Sequence, residues 1–309
     1  MRSKQLIYIS FLVILLVWTW HNSYAQEFVL PKGKKLIVAA EQSQHRVIII
    51  DPGKGTISWE WKADSMQLPA THVKWFNNPS DAKIIYNGRF LLTSASGGGI
   101  ALIRIYDKKI LFHAYAGGNT HSIEVLPGGN IVSASSTGNY LRLFQVDTTI
   151  QQDTVPYIQY ALPFAHNLVW DKKRSLLWSA GMHEMYAYKY VLENGKPRLQ
   201  LAFHHPLPGE QGHDLFPVHG KDSLWFTDHQ HIYIYDPGTG SLEQVKTRRQ
   251  KGIKSVSSGP AGYPTIVIFP KEQWWTDEIF DLEGKRIFKQ EGLKIYKARW
   301  VLPNTFSYQ

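Results

Sequence analysis

The chain has 309 residues, with 34 Lys and Arg against 25 Asp and Glu, a net charge of +9 and no cysteine. The missing cysteines exclude a disulfide framework and thiolate metal sites, so any metal would have to be held by His and carboxylates. The basic balance admits nucleic acid, a membrane surface or an anionic ligand as partner.

The first 25 residues have the order of a signal peptide: Arg2 and Lys4, an apolar run from Ile7 to Trp18, then the small-x-small site Ser23-Tyr24-Ala25. The apolar run is short for a spanning helix. A mature chain beginning at Gln26, periplasmic or secreted, is the expectation. Export argues against nucleic acid, and the longest basic cluster, Arg248-Arg249-Gln250-Lys251, is too small for a polybasic membrane patch. No Pro/Ser/Gly-rich linker interrupts residues 26–309, so one domain is expected, as a monomer.

From Lys35 the pattern is one of short strands. KLIVAA and RVIIID flank the loop Glu41-Gln42-Ser43-Gln44-His45, the turn Asp51-Pro52-Gly53-Lys54-Gly55 follows, and TISWEW from Thr56 reads as a third strand. A long connection from Lys62 to Ala82, carrying His72, Lys74, Trp75 and Phe76, is expected to cap the mouth of a central channel. A unit then recurs. AKIIYNGRFLLTSAS starts at Ala82, THSIEVLPGGNIVSAS at Thr120, AHNLVWDKKRSLLWSAG at Ala165 and GHDLFPVHGKDSLWFTD at Gly212; IKSVSSGPAGYPTIVI follows at Ile253 and YKARWVLPNTFSY at Tyr296.

The second position of each copy is basic: Lys83, His121, His166, His213, Lys254 and Lys297, at spacings of 38, 45, 47, 41 and 43 residues. A strand-rich period of that size predicts an all-β chain, a β-propeller. The N-terminal unit lacks its inner strand and Tyr296 to Tyr308 would supply it. Six blades follow, closed by pairing the two ends of the chain, which removes the open sheet edges. Tight turns at Asp107-Lys108-Lys109, Glu193-Asn194-Gly195-Lys196, Asp236-Pro237-Gly238-Thr239-Gly240 and Glu283-Gly284-Lys285 fall on one face.

The opposite face collects the chemistry. It would carry Glu41, His45, His72, His183, Glu184, Asp228, Glu272, Trp274 and Trp275 around a ring of three His and three Lys at the channel mouth. Packing has no need of six cations in register, and like charges disfavour one another unless an anion or a metal compensates. Lys binds carboxylate, sulfate or phosphate, His titrates near neutrality, and Trp stacks on sugar rings. The expected ligand is an anionic carbohydrate, with Lys83, Lys254 and Lys297 neutralising it and His121, His166 and His213 as catalytic candidates. The mutual field should depress the histidines, and binding should weaken as pH rises through the histidine range.

Two enzyme chemistries fit: a polysaccharide lyase using a His base against a Lys-neutralised carboxylate, and a glycoside hydrolase using two of Glu41, Glu184, Asp228 and Glu272. The alternatives are a binding propeller for a glycan or peptide, and a divalent-metal site on His121, His166 and His213. Trp178 and Trp225 read as core, and Asp214 as a blade-to-blade contact.

The TISWEW strand and the H-x(4)-LPGGN unit at His121 resemble secreted six-bladed propellers of the quinoprotein-like and arylsulfotransferase-like kind. The whole mature chain is similar to an uncharacterised family of exported six-bladed propellers from polysaccharide-degrading bacteria. The arylsulfotransferase resemblance would imply a histidine nucleophile, for which His121 is the candidate. The repeated Trp-docking motifs that a quinone cofactor implies do not occur.

Overall fold

The structure, a computed structural model, describes residues 30–31, 33–147, 155–247 and 252–308. The expected signal peptide and cleavage site lie outside the described residues. Among those described, no helix is long and apolar enough to cross a membrane.

Six four-stranded antiparallel sheets stand around a central axis. The first blade holds β1 (Ile37–Glu41), β2 (Arg46–Asp51) and β3 (Thr56–Lys62). The second is β4 (Pro79–Ile85), β5 (Phe90–Ala95), β6 (Gly99–Arg104) and β7 (Ile110–Tyr115). The third is β8 (Thr120–Val125), β9 (Ile131–Ser135), β10 (Tyr140–Phe144) and β11 (Tyr157–Ala161). The fourth is β12 (Val169–Asp171), β13 (Leu176–Ala180), β14 (Glu184–Glu193) and β15 (Lys196–Pro206). The fifth is β16 (Asp214–Pro217), β17 (Leu224–Thr227), β18 (Ile232–Tyr235) and β19 (Leu242–Val245). The sixth is β20 (Ser255–Ser257), β21 (Ile266–Ile268), β22 (Glu278–Asp281) and β23 (Arg286–Lys289). Finally β24 (Ile295–Trp300) pairs with β1, so the C-terminal strand is the inner strand of the first blade. The ring closes as the repeat pattern predicts.

Burial explains the strand sequences. β2 is covered on both faces by neighbouring blades, and all six of its residues are buried; that is why it reads as a continuous apolar run. β3, at the outer edge, alternates, turning Trp59 and Trp61 inward and Thr56, Ser58 and Glu60 away. Six apolar clusters fill the six blade-to-blade interfaces, from Val38, Trp59 and Ile84 between the first and second to Ile48, Ile266 and Trp300 between the sixth and first. Trp178 and Trp225 are in these cores, as expected.

Two segments differ from the sequence expectation. Strand β4 starts at Pro79, and the connection before it folds into α1 (Ala70–Val73) and a short 3-10 turn (Lys74–Phe76). That connection does not cap the channel. His72 stacks on Trp75 at 3.7 Å; both meet His113, and Trp75 also meets Tyr115, on the outer strand β7. Phe76 packs edge-on to Trp61. Phe76 is buried in the core between the first and second blades, and Trp75, partly buried, packs against it, so apolar area leaves water there rather than over the channel.

The second difference is at the C-terminus, where the inner strand ends at Trp300 rather than running to Tyr308. Residues 301–308 cross the turn face instead. The Phe306 carbonyl accepts from Lys172 N at 2.9 Å, and the Tyr308 carbonyl from Tyr86 N at 2.7 Å. The Phe306 side chain is buried in the core between the fourth and fifth blades. The strap ties turns of the fourth and second blades beneath the channel, making it a well entered from the loop face.

Candidate functional site

The register of the inner strands decides which side chains meet at the well. In β4, β8 and β24 one residue is skipped by the ladder to the next strand: Ser80, His121 and Tyr296. Such a bulge re-aims its side chain out of the regular alternation. His213 and Lys254 take the same place ahead of β16 and β20, their amides bonding Thr227 O at 2.8 Å and Ile268 O at 3.0 Å; His166 takes it ahead of β12.

The upper layer of the well is therefore Ser80, His121, His166, His213, Lys254 and Tyr296. This corrects the expected ring of six basic residues. Lys297 sits one residue further along its strand and Lys83 three, because the short repeat pattern does not record the bulge.

In the upper layer the rings pack edge to face. Centroids are 4.5 Å apart for His121 and His166, 4.9 Å for His166 and His213, and 5.3 Å for His121 and Tyr296. Tyr296 Oη lies 2.9 Å from His121 Nδ1, and His121 Nε2 lies 3.0 Å from Asn119 Oδ1. The phenol, raised by burial, donates to Nδ1, so Nε2 carries the proton and donates to Asn119. Both nitrogens of His121 are thus engaged. His166 Nδ1 lies 3.2 Å from the Phe164 carbonyl and donates to it, leaving the lone pair on Nε2. His213 Nδ1 is buried with no hydrogen-bond partner among the described residues.

Burial, then neighbouring positive charge, holds all three imidazoles neutral. His166 is pushed down to about 3 by burial and Lys297, against the opposing Phe164 bond. His121 and His213 are also held well below the usual imidazole range, first by burial, then by His166 and Lys254 respectively. The depression expected from the sequence is present, with burial rather than mutual repulsion as its main cause.

Lys254 is 9% exposed and has no carboxylate partner among the described residues; its Nζ lies 5.8 Å from the Tyr296 ring centroid. Burial and the Lys297 charge lower it to about 8.

The layer below is charged and paired. Lys83 Nζ is 3.0 Å from Glu124 Oε2 and 3.8 Å from Asp81 Oδ2, and donates to the Leu168 carbonyl at 2.7 Å. Arg299 binds Asp214 with both amino groups, at 2.8 and 3.1 Å, and reaches Asp81 at 3.2 Å. Lys297 Nζ is 3.2 Å from Asp214 Oδ1. Burial would raise both aspartates, but Arg299 and the lysines outweigh it and hold them below the usual carboxylate range. Three cations face three carboxylates, and Lys83 and Lys297, expected as ligand-binding cations, are committed to them. Asp214 is the blade-to-blade contact its position suggested.

The remaining candidates scatter. Glu41 is fully buried and accepts from Ser43, Gln44 and Lys294 amides and from Arg46, tying the closing strand down. Asp228 caps the Gln230 and His231 amides at 2.7 and 2.6 Å. Glu184 bonds His204 at 2.9 Å on the outer ribbon, beside the exposed His183. His45 Nδ1 accepts from Asn78 N at 3.1 Å, and His72 is in the outer aromatic cluster.

Glu272 and Trp275 form a tight turn, with Lys294 Nζ 4.7 Å over the Trp275 ring. Trp274, 47% exposed, donates its indole N–H to Gln42 Oε1 at 3.0 Å, and Gln42 in turn donates to the Pro79 carbonyl. Gln42 and Trp274 thus form a fixed part of the rim that sequence reasoning had divided between separate loops.

As a metal centre, the His121, His166 and His213 arrangement does not fit: the rings meet edge to face, and His121 has no free lone pair. Among the described residues no group of His, Cys, Asp or Glu is placed to hold a metal ion.

The comparisons with known proteins give a family and are silent on chemistry. Residues 6–309 match the model of a family of unknown function (DUF6528), and the chain belongs to that family. No curated protein matches. A crystal structure of a protein of unknown function from Bacteroides caccae is similar at 12% identity and TM-score 0.59, over 87% of this chain and 100% of that one. Kuenenia stuttgartiensis hydrazine synthase aligns at 10% identity and TM-score 0.45, over 67% of this chain and 64% of that one.

Proposed function

We propose that this member of the DUF6528 family binds the anionic group of a small acidic ligand, an acidic sugar foremost, at the top of the well. The observation that carries the reading is the contrast in pairing. All six charges of the lower layer are compensated internally, whereas the Lys254 ammonium above them has no acidic partner among the described residues. A buried charge without a partner is costly unless a ligand supplies one. The unpartnered Nδ1 of His213 offers a second polar contact, and Trp274 offers an exposed ring at the rim for a sugar face.

Since the imidazoles are already neutral, the pH dependence moves from the histidine range to Lys254. Affinity should hold through neutrality and weaken as pH rises past about 8, and it should fall with salt. Calorimetric titration with a uronic-acid oligosaccharide tests the site. Lys254→Met should lower affinity at least about tenfold, the scale of one charge-assisted bond. Unchanged affinity in the variant would remove Lys254 from the site.

One arrangement favours catalysis by β-elimination. His166 is held in the tautomer that leaves a lone pair on Nε2, as a base abstracting the proton beside a carboxylate requires; lowered to about 3 in the free protein, it becomes an effective base only if the bound carboxylate raises it. The two-carboxylate hydrolase has less support: Glu41 and Asp228 are spent on backbone amides and Glu184 on His204, so of the four only Glu272 remains. Growth of absorbance from an unsaturated sugar product, lost in His166→Gln, would distinguish the lyase from a binder.

Export to the periplasm or beyond completes the proposal, resting on Arg2, Lys4 and the Ser23-Tyr24-Ala25 site. N-terminal analysis of the exported protein should give Gln26 as its first residue, and a full-length chain retained in the membrane fraction would oppose it.

A further inference from the structure

The well contains an amine in an environment that charge binding alone does not require. Lys254 is buried with no carboxylate partner among the described residues, close to the Tyr296 ring. The nearby ammonium of Lys297 is held in place by Asp214. On the neighbouring blade His213 offers a buried nitrogen with no hydrogen-bond partner among the described residues. Apolar burial and an adjacent cation are the two devices that make a lysine nucleophilic at neutral pH. The structural lysines of the layer below show the contrast, because Lys83 is locked to Glu124 and the Leu168 carbonyl.

We infer that Lys254 is a reactive amine that condenses with the carbonyl group of a small 2-oxo acid to form a Schiff base at the top of the well. The inference rests on the reading of the well as a site for acidic ligands, and adds the substrate class. The neutral Nζ attacks the carbonyl carbon; the C–N bond forms as the C=O pair moves to oxygen. The oxygen gains the proton that the nitrogen loses, giving a carbinolamine. Loss of that hydroxyl as water, after a second protonation, leaves the iminium. The net change is one amine, one carbonyl and one proton giving one iminium and one water. The iminium keeps the positive charge of the ammonium it replaces, so the ligand's carboxylate retains a cation beside it. Lowering the lysine from its ordinary value to about 8 gives it about 300-fold more free amine at neutral pH than a solvated lysine has.

The groups facing Lys254 are Tyr296 and Lys297 of the first blade and His213 of the fifth, with His166 and His121 beyond. All the imidazoles are neutral, so the amine itself should govern the pH profile of the reaction.

The test incubates the full mature protein with pyruvate and cyanoborohydride, and maps the reduced adduct by mass spectrometry. A single adduct on Lys254, in at least about tenfold excess over every other lysine, is the expected result. It should be absent from Lys254→Arg, which keeps the charge but cannot condense. Adducts spread over exposed lysines in proportion to their accessibility, or no adduct at all, would overturn the inference. Binding of lactate, which has the carboxylate without the carbonyl, separates the two readings. Lactate bound with no pyruvate trapped leaves the anion site standing and sinks the amine. Acetaldehyde trapped on Lys254 with no lactate bound retains the amine and sinks the anion site.

Discussion

The two layers of the well are built from the same strands, a few residues apart, and solve opposite problems. Below, Asp81, Glu124 and Asp214 meet Lys83, Lys297 and Arg299 at hydrogen-bond distances, and the layer binds the ring to itself across its axis. Above, neutral imidazoles and a phenol surround one ammonium that has no carboxylate partner among the described residues. A paired buried charge fixes geometry, since removing either member strands the other. An unpaired one leaves free energy available to a ligand. The lower layer therefore reads as framework and the upper as the proposed site, and variants of each should behave differently.

The largest expected effect is acid. The imidazoles take up protons less readily in the folded protein than in the unfolded chain, so the unfolded chain binds the proton first. The imidazoles' contribution to stability should be complete above about pH 6.5 and be lost as pH drops towards 3. His166 alone, lowered to about 3, accounts for a loss on the order of 4 kcal/mol. Asp81 and Asp214, held below the usual range, extend the loss at the acid end. Urea unfolding across pH 3 to 8 checks this, and His166→Gln should reduce the slope by one proton; an unaltered slope would contradict the assignment.

Next comes the framework. Arg299→Met leaves Asp81 and Asp214 facing each other without their shared guanidinium, and should cost about 3 to 5 kcal/mol. A variant as stable as the parent would mean that the lower layer is not the framework described.

Lys254→Met should do the reverse. A buried ammonium lowered to about 8 is a penalty at neutral pH, and removing it should stabilise the fold by about 1 to 3 kcal/mol. The sign follows from the same linkage. In the parent, stability should rise between about pH 8 and the ordinary lysine value, and in the variant that rise should vanish. A destabilised variant would indicate an internal partner for Lys254 and sharpen the comparison against the site reading.

The smallest effect is at the rim. Trp274→Ala should change stability by less than about 1 kcal/mol, because the ring is half exposed. It should nevertheless weaken an oligosaccharide several-fold while leaving a free carboxylate unaffected, as titration with each ligand would show.

Much of this architecture was legible in the residues. The recurring unit at Thr120, Ala165 and Gly212, the continuous apolar run of RVIIID and the missing inner strand at the N-terminus determined six blades and their closure. Each depends on nearest-neighbour chain geometry: a strand covered on both sides must be apolar throughout, and an unpaired inner strand must find its partner. His121, His166, His213 and Lys254 were likewise found by their common place in the repeat. What only the tertiary structure decided was the layer to which each residue belongs. A single bulge displaces a side chain without altering the spacing between repeats, so Tyr296 and Ser80 hold the places expected of Lys297 and Lys83. Whether a cation is spent or free depends on carboxylates from other blades, Asp214 for Lys297 and Glu124 for Lys83. Those partners are 83 and 41 residues away in the chain and meet only when the ring closes, because Coulomb attraction acts through space and local patterning does not record it.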